Sequence, residues 1–155
     1  MNRLDYFRRQ FRYEHWANSR VLDSLEEQDV DGTKQAGLIA HILISQGAWL
    51  ARMDGLSTEG WDLFPKFTLE QSRMLLEKNR GKFDELFARL TEERLDKSRH
   101  YRNTMGEEFS STYDAVFSHL LVHGAHHRGQ IATLMRLDDK EPARTDYIFY
   151  DRGSA

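Results

Sequence analysis

Apolar side chains return every third or fourth position along four stretches of the chain, the spacing of an amphipathic α-helix. In the first, from about Leu4 to Glu27, the residues Leu4, Phe7, Phe11, Val21, Leu22 and Leu25 make one stripe, with Arg and Glu on the other face. The stripe stops at Asp29-Val-Asp-Gly32. A second helix from about Lys34 to Met53 carries Leu38, Ile39, Ile42, Leu43, Trp49 and Leu50, and ends at Asp54-Gly55, where glycine suits the left-handed cap position. After a loop from Leu56 to Phe67, Thr68-Leu-Glu-Gln71 reads as a capping box opening a third helix that runs to about Leu90. Helical periodicity lapses over residues 91–110, which contain Asn103-Thr-Met-Gly106, so a long crossover is expected there with one extended piece around His100 to Thr104. Ser111-Thr-Tyr-Asp114 starts a fourth helix that reaches about Leu137, and Asp138-Asp-Lys-Glu-Pro142 and an aromatic tail, Tyr147-Ile-Phe-Tyr150, follow it.

Four apolar stripes need facing stripes to leave water, so the pattern predicts an all-α four-helix bundle with one long crossover connection between the third and fourth helices. The 155 residues are enough for one domain with its own core, and residues 1–155 are read as a single domain without internal repeats. Only Pro65 and Pro142 interrupt the chain's helix-forming capacity. Charged residues make up 30% of the chain and nearly cancel to a formal net charge of -3, so no single-sign field points to nucleic acid or an anionic membrane. There is no cysteine, which excludes disulfides, zinc fingers and any protein thiol as nucleophile or ligand. The N-terminal residues are charged throughout and no apolar run approaches the roughly 20 residues of a membrane span, so the expected location is the cytoplasm.

Composition thus leaves histidine and carboxylate as metal ligands, and four of the seven histidines lie between His119 and His127. Each residue of a helix advances about 100°, which puts His127 about 30° from the apolar centre of the fourth helix, His123 about 70°, His119 about 110° and His126 about 130°. His123 and His127, one turn apart, are the preferred pair. His119 and His127 are separated by roughly 12 Å along the axis, too far to share one ion bound at about 2 Å. His41 sits at the edge of the second helix's stripe, on the flank of the small residues Ser45 and Ala48. Convergence of His41, His123 and His127 would give three neutral nitrogens for Zn2+ or Ni2+ and leave a position open. An intrahelical histidine pair is also an ordinary surface or core feature. The inward lean of this pair, the histidine in a separate helix, and Gly124 and Gly129, which thin the fourth helix, favour a site.

The segment from His119 to Met135, with Arg128-Gly-Gln-Ile131 directly after its histidines, resembles the signature of the DinB family of metalloenzymes. Tyr13-Glu-His-Trp16-Ala-Asn18 and the stretch from His41 to Arg52 resemble that family's two earlier motifs, and Asp146 to Tyr150 its ending. The resemblance implies a bundle, usually a homodimer, with a divalent metal held by the histidines at positions 41, 123 and 127. Gln46 departs from it, standing where many relatives have an acidic residue. Related members include S-transferases and isomerases that use a low-molecular-weight thiol such as bacillithiol or mycothiol, among them mycothiol-dependent maleylpyruvate isomerase.

The leading expectation is therefore a metal-dependent enzyme that activates an external low-molecular-weight thiol for S-transfer or isomerisation of a small-molecule substrate. The alternatives are a metal-dependent hydrolase, with Glu14 or Asp114 as undistinguished candidates for a base, and a non-enzymatic dimeric metal-binding or stress-response protein. Gln130 is placed either behind the metal ligands or in an ordinary interhelical hydrogen bond, and Arg128 on the opposite flank, as a salt-bridge or anion-binding residue. Tyr13, Trp16, Asn18 and Trp49 are candidates to line a pocket, without assigned chemistry. His-Glu-x-x-His, Gly-x-Ser-x-Gly, Gly-rich phosphate loops and the Glu-x-x-His repeats of di-iron bundles are all missing from the sequence.

Overall fold

Each of the four apolar stripes forms a helix: α1 spans Arg3–Glu27, α2 Lys34–Met53, α3 Leu69–Arg89 and α4 Tyr113–Leu137. These ranges come from a computed structural model that describes residues 1–153; Ser154 and Ala155, part of the expected single domain, lie outside the described residues. Caps fix the starts. Asn2 Oδ1 accepts from the Asp5 amide at 2.8 Å, and Thr68 and Gln71 complete the reciprocal capping box at 3.1 and 2.9 Å. Gly55, at φ 79°, follows α2 in the left-handed conformation expected of it.

Two segments differ from the sequence reading. The extended piece expected around His100 to Thr104 is present as β1 (Ser98–Arg102), but the crossover also holds a second strand, β2 (Glu108–Thr112), paired antiparallel with it, Arg102 opposite Glu108 and Tyr101 opposite Phe109. Asn103-Thr-Met-Gly106 is the turn between them, closed by Asn103 Oδ1, which accepts from the amides of Met105 and Glu107, and by Gly106 at φ 80°. Ser111 therefore belongs to a strand, and α4 is capped one residue later by Thr112, whose hydroxyl accepts from the Ala115 amide at 3.1 Å. The aromatic tail forms a short helix, α5 (Tyr147–Asp151), whose Tyr147 and Tyr150 rings pack on Tyr13 with centroids 5.1 and 5.7 Å away.

The closest helix contacts run α1 with α3, α3 with α2, α2 with α4 and α4 with α1, which leaves α3 and α4 diagonal across the bundle with the hairpin segment joining them. The core divides into two apolar clusters. One gathers Phe7, Phe11, Phe83, Phe87 and Phe117 from α1, α3 and α4; the other gathers Leu22, Leu25, Ile39, Leu43, Leu76 and Met135. At roughly 1.5–3 kcal/mol for each fully buried large side chain, these clusters supply most of the drive to fold.

Between the clusters lies a polar layer. Glu14, Asn18, Gln46, Asn79 and Arg128 are each at most 5% exposed there. Arg128 donates from Nη2 to Glu14 Oε1 at 2.6 Å and from Nη1 to Glu14 Oε2 and Asn18 Oδ1, both at 2.9 Å. Such a bidentate pair is tolerated inside a protein because each charge meets its complement in the matching geometry. Gly124, one turn before Arg128, makes the approach possible: a Cβ on it would lie 2.4 Å from Glu14 Oε2. Gly124→Ala is accordingly expected to destabilise the fold by about 1–3 kcal/mol, the usual cost of overpacking a well-filled interior. Urea denaturation checks this, and an unchanged midpoint would mean that α1 and α4 can separate without loss.

Candidate metal centre

The polar layer is flanked on the α2–α4 side by three imidazoles. His41, from α2, is 6% exposed, and His123 and His127, from α4, are half-buried. One ring nitrogen from each lies within 4.8 Å of the other two. His41 Nε2 is 3.0 Å from His123 Nε2, and the His127 ring stands with its centroid 4.7 Å from that of His41 and 4.4 Å from that of His123. Nitrogens around a tetrahedral ion bound at 2.0–2.1 Å are about 3.3 Å apart, so modest side-chain rotations fit this set to a divalent metal.

Two of the three rings have their orientation fixed from behind. The Leu63 carbonyl, in the loop between α2 and α3, lies 2.6 Å from His41 Nδ1; a carbonyl can only accept, so this nitrogen carries the proton and Nε2 presents its lone pair inward. Phe64 stacks flat on the same ring at 4.0 Å. His127 Nδ1 donates to Gln130 Oε1 at 2.7 Å, which again leaves Nε2 free. This contact joins residues of one helix and replaces the interhelical bond considered for Gln130. Partners of this kind typically account for about tenfold to hundredfold in metal affinity, and Gln130→Ala is expected to weaken Zn2+ binding by that factor while sparing the fold, because Gln130 is exposed. Competition with a chromophoric chelator measures it, and an affinity within about twofold of wild type would remove Gln130 from the site.

Burial holds His41 below its ordinary pKa despite the opposing Leu63 contact, with His127 also lowering it. His123 is pushed down to about 3, first by burial and then by the facing His127 and His41. Both rings therefore stay neutral, as ligands must. A basic group with a depressed pKa binds its proton more readily in the unfolded chain, so the metal-free protein is expected to lose stability as pH falls below 6.5 toward 3. Urea midpoints of the apo protein at pH 7 and 5.5 should differ in that direction, and His123→Leu should shrink the difference. An apo protein equally stable at both would contradict this ionisation scheme.

The remaining sequence candidates fall elsewhere. His119 is exposed overall, its ring 5.4 Å from that of His123 and 5.8 Å from Trp49, and partial desolvation of the ring by these neighbours, then Arg52, keeps it below its ordinary pKa. His126 is exposed beside His127. Glu14, one of the two candidates for a base, is 1% exposed and occupied by Arg128, which in turn faces α1 from inside the bundle. Asp114 pairs with Arg3 at 3.3 Å. Tyr13 and Trp16 hold the C-terminal segment, with Tyr13 Oη donating to the Thr145 carbonyl at 2.7 Å, and Asn18 accepts from Arg128. Trp49 packs under the Arg52 guanidinium, 4.6 Å away. Ser45 and Ala48 are buried, at 6% and 1% exposure. Beside the triad runs a groove of about 1220 Å3 whose lining includes Leu38, Phe64, Phe67, Leu134, Lys34 and Gln130. Phe64 and Gln130 touch the triad from that groove.

The model of the DinB family matches residues 2–154. The Protein DinB of Bacillus subtilis (strain 168) is 23% identical over an alignment of 164 positions, gaps included, that covers 94% of each chain. Among the described residues no helix is long and apolar enough to cross a membrane.

Proposed function

The chain belongs to the DinB family, and from that membership and the three converging imidazoles we propose that it is a divalent-metal-dependent enzyme, with Zn2+ or Ni2+ as the metal, that activates an external low-molecular-weight thiol for S-transfer or isomerisation. The observation that carries the reading is the donor set. Among the described residues the cluster contains three ligands, His41, His123 and His127, and a structural site ordinarily has four. His41, His123 and His127 would hold the ion, which would supply positive charge to lower the pKa of an entering thiol. Because the chain has no cysteine, that thiol comes from a small molecule. In S-transfer the thiol's proton would pass to solvent and its sulfur would form a bond to an electrophilic carbon as the bond from that carbon to a leaving group breaks, the leaving group taking the electron pair. In isomerisation the sulfur would add to a conjugated C=C, push the π pair onto the neighbouring carbonyl, and be expelled after rotation about the resulting single bond.

The protein's own part is to hold and to exclude. Leu63 and Gln130 fix the tautomers of His41 and His127, and Phe64 covers one face of His41. The adjoining groove combines apolar walls with Lys34 and Lys66, a surface suited to an apolar molecule with an anionic group. Metal-assisted hydrolysis is favoured less, since both carboxylates considered as its base are paired away from the triad. The proposal takes the protein as a cytoplasmic homodimer that acts without nucleic-acid or membrane partners.

Titration of the Co2+-loaded protein with bacillithiol, mycothiol or a simpler thiol tests the reading. A sulfur-to-cobalt charge-transfer band, followed by turnover of an electrophilic acceptor, is the expected result. Tight metal binding with a spectrum unmoved by every thiol would set the thiol chemistry aside.

A further inference from the structure

The groove beside the triad is open because of what two helices lack. It runs between the first turn of α2 and residues 129–134 of α4, with residues 64–68 along one side. Gly37 and Gly129 lie in its lining, and a Cβ on either would meet nothing within 4 Å. Alanine is the better helix former at such positions, so the helices themselves do not call for glycine. The gain is space. At about 1220 Å3 the groove exceeds the roughly 300–1,000 Å3 of a single small-molecule site, which leaves room for a thiol and an acceptor together.

Its two ends differ in chemistry. At one, Phe64 stacks on His41 with centroids 4.0 Å apart and planes 3° from parallel, yet Phe64 is 66% exposed, so its other face is open. Gln130, which holds His127, marks the same end. At the other, Lys34 lies two helical turns before His41, about 10 Å along α2, and Leu134 is equally far beyond His127 on α4. Lys66 stands on the loop wall, just past Phe64. Neither lysine enters an ion pair among the described residues. The one acid of the lining, Asp31, accepts through Oδ1 from the amides of Gly32 and Leu69 at 2.9 and 3.3 Å. Leu38, Phe67 and Leu134 make the stretch between the ends apolar.

We propose that this groove selects the acceptor, and that the acceptor is an elongated, mainly apolar molecule with a planar conjugated group at its reactive end and an anionic group about 10 Å away. The inference rests on the thiol-activating reading of the metal centre. The planar group lies on the open face of Phe64, which brings the reactive carbon beside the triad, and the anion reaches Lys34 and Lys66. Gly37 determines specificity, because any side chain there narrows the passage between the two ends. A short polar acceptor cannot touch the triad and Lys34 at once, and it leaves the apolar stretch wet.

The test uses zinc-loaded, 15N-labelled full-length protein and 6-phenylhexanoate, an aromatic ring and a carboxylate on an apolar chain that spans the groove. Saturable shifts of the Gly37 backbone amide and the Gln130 side-chain amide are expected. Lys34→Ala/Lys66→Ala, at exposed positions, should weaken binding by about threefold to tenfold with an unchanged Tm, and 6-phenylhexan-1-ol should bind wild type about as weakly. Gly37→Leu should weaken it by more than about tenfold, with wild-type zinc content and assembly and a Tm no lower. Because the probe contains neither thiol nor electrophile, failure of the thiol reading would appear as an unmoved Co2+ spectrum beside intact probe binding. The groove proposal is overturned if the probe gives no saturable shift up to millimolar concentration, or if Gly37→Leu or the double lysine variant binds it as wild type does. It also falls if Gly37→Leu changes the oligomeric state, which would make a second copy of the chain the occupant.

Discussion

His41→Ala is expected to abolish stoichiometric binding of a divalent metal. The substitution removes the one ligand supplied by α2 and leaves two imidazoles on a single helix, a set without the facing nitrogen that closes the site. Loss of a partner behind a ligand already costs about tenfold to hundredfold, so loss of the ligand itself should weaken affinity by more than about a hundredfold. His123→Ala and His127→Ala should behave alike, whereas His126→Ala, altering an exposed ring outside the triad, should retain wild-type metal content. Elemental analysis after gel filtration measures the loss, and circular dichroism against metal-free wild type separates it from unfolding. Full metal retention by His41→Ala with an intact helical spectrum would mean that the ion is held elsewhere.

The second large effect concerns stability. Arg128→Met leaves the Glu14 carboxylate, 1% exposed, without its cation, and breaking a buried pair in this way costs about 3–5 kcal/mol. For a chain of this length that corresponds to a fall in Tm on the order of 10 °C. The double variant Glu14→Leu/Arg128→Met should recover most of the loss, because apolar replacement of both partners is close to neutral. A single variant as stable as wild type would indicate that the pair is solvated. A double variant no better than the single would show that the cost arises from packing instead.

Much of this molecule can be read in its sequence, and the parts that cannot share a cause. The four helices declare themselves because each buries one apolar stripe. His41, His123 and His127 were legible because helical angles turn the α4 pair inward and put His41 at the edge of the α2 stripe, and the family resemblance agrees with that set. One extended piece was legible near His100, but its pairing with a second strand was hidden because Ser98–Arg102 and Glu108–Thr112 are mostly exposed and show no alternation of buried and solvent-facing residues. Only the turn Asn103–Gly106 and the opposed charges of Arg102 and Glu108, 2.7 Å apart in the fold, carried its signal. Arg128 is the salt-bridge residue the sequence suggests, but its partner Glu14 was missed, because a charge is ordinarily assigned to solvent. Yet positions 7, 11, 14, 18, 21 and 25 of α1 follow one buried row, and Glu14 and Asn18 occupy it. A carboxylate in that row, an arginine in α4 and a glycine one turn before it are together the pattern of a buried ion pair. A single apolar centre for α4 concealed this, because that helix is covered by α1 as well as by α2. For Gln130 the sequence offered two roles, and the structure selects the one behind the metal ligands, through its contact with His127 Nδ1.

X-ray absorption of the zinc-loaded protein tests the central claim most directly, since it counts and identifies the atoms around the ion. The account predicts one ion per chain with three imidazole nitrogens at about 2.0–2.1 Å and an additional light ligand that a thiol replaces with sulfur. A protein that takes up no stoichiometric metal, or an ion closed by a fourth side chain and indifferent to thiol, would contradict it.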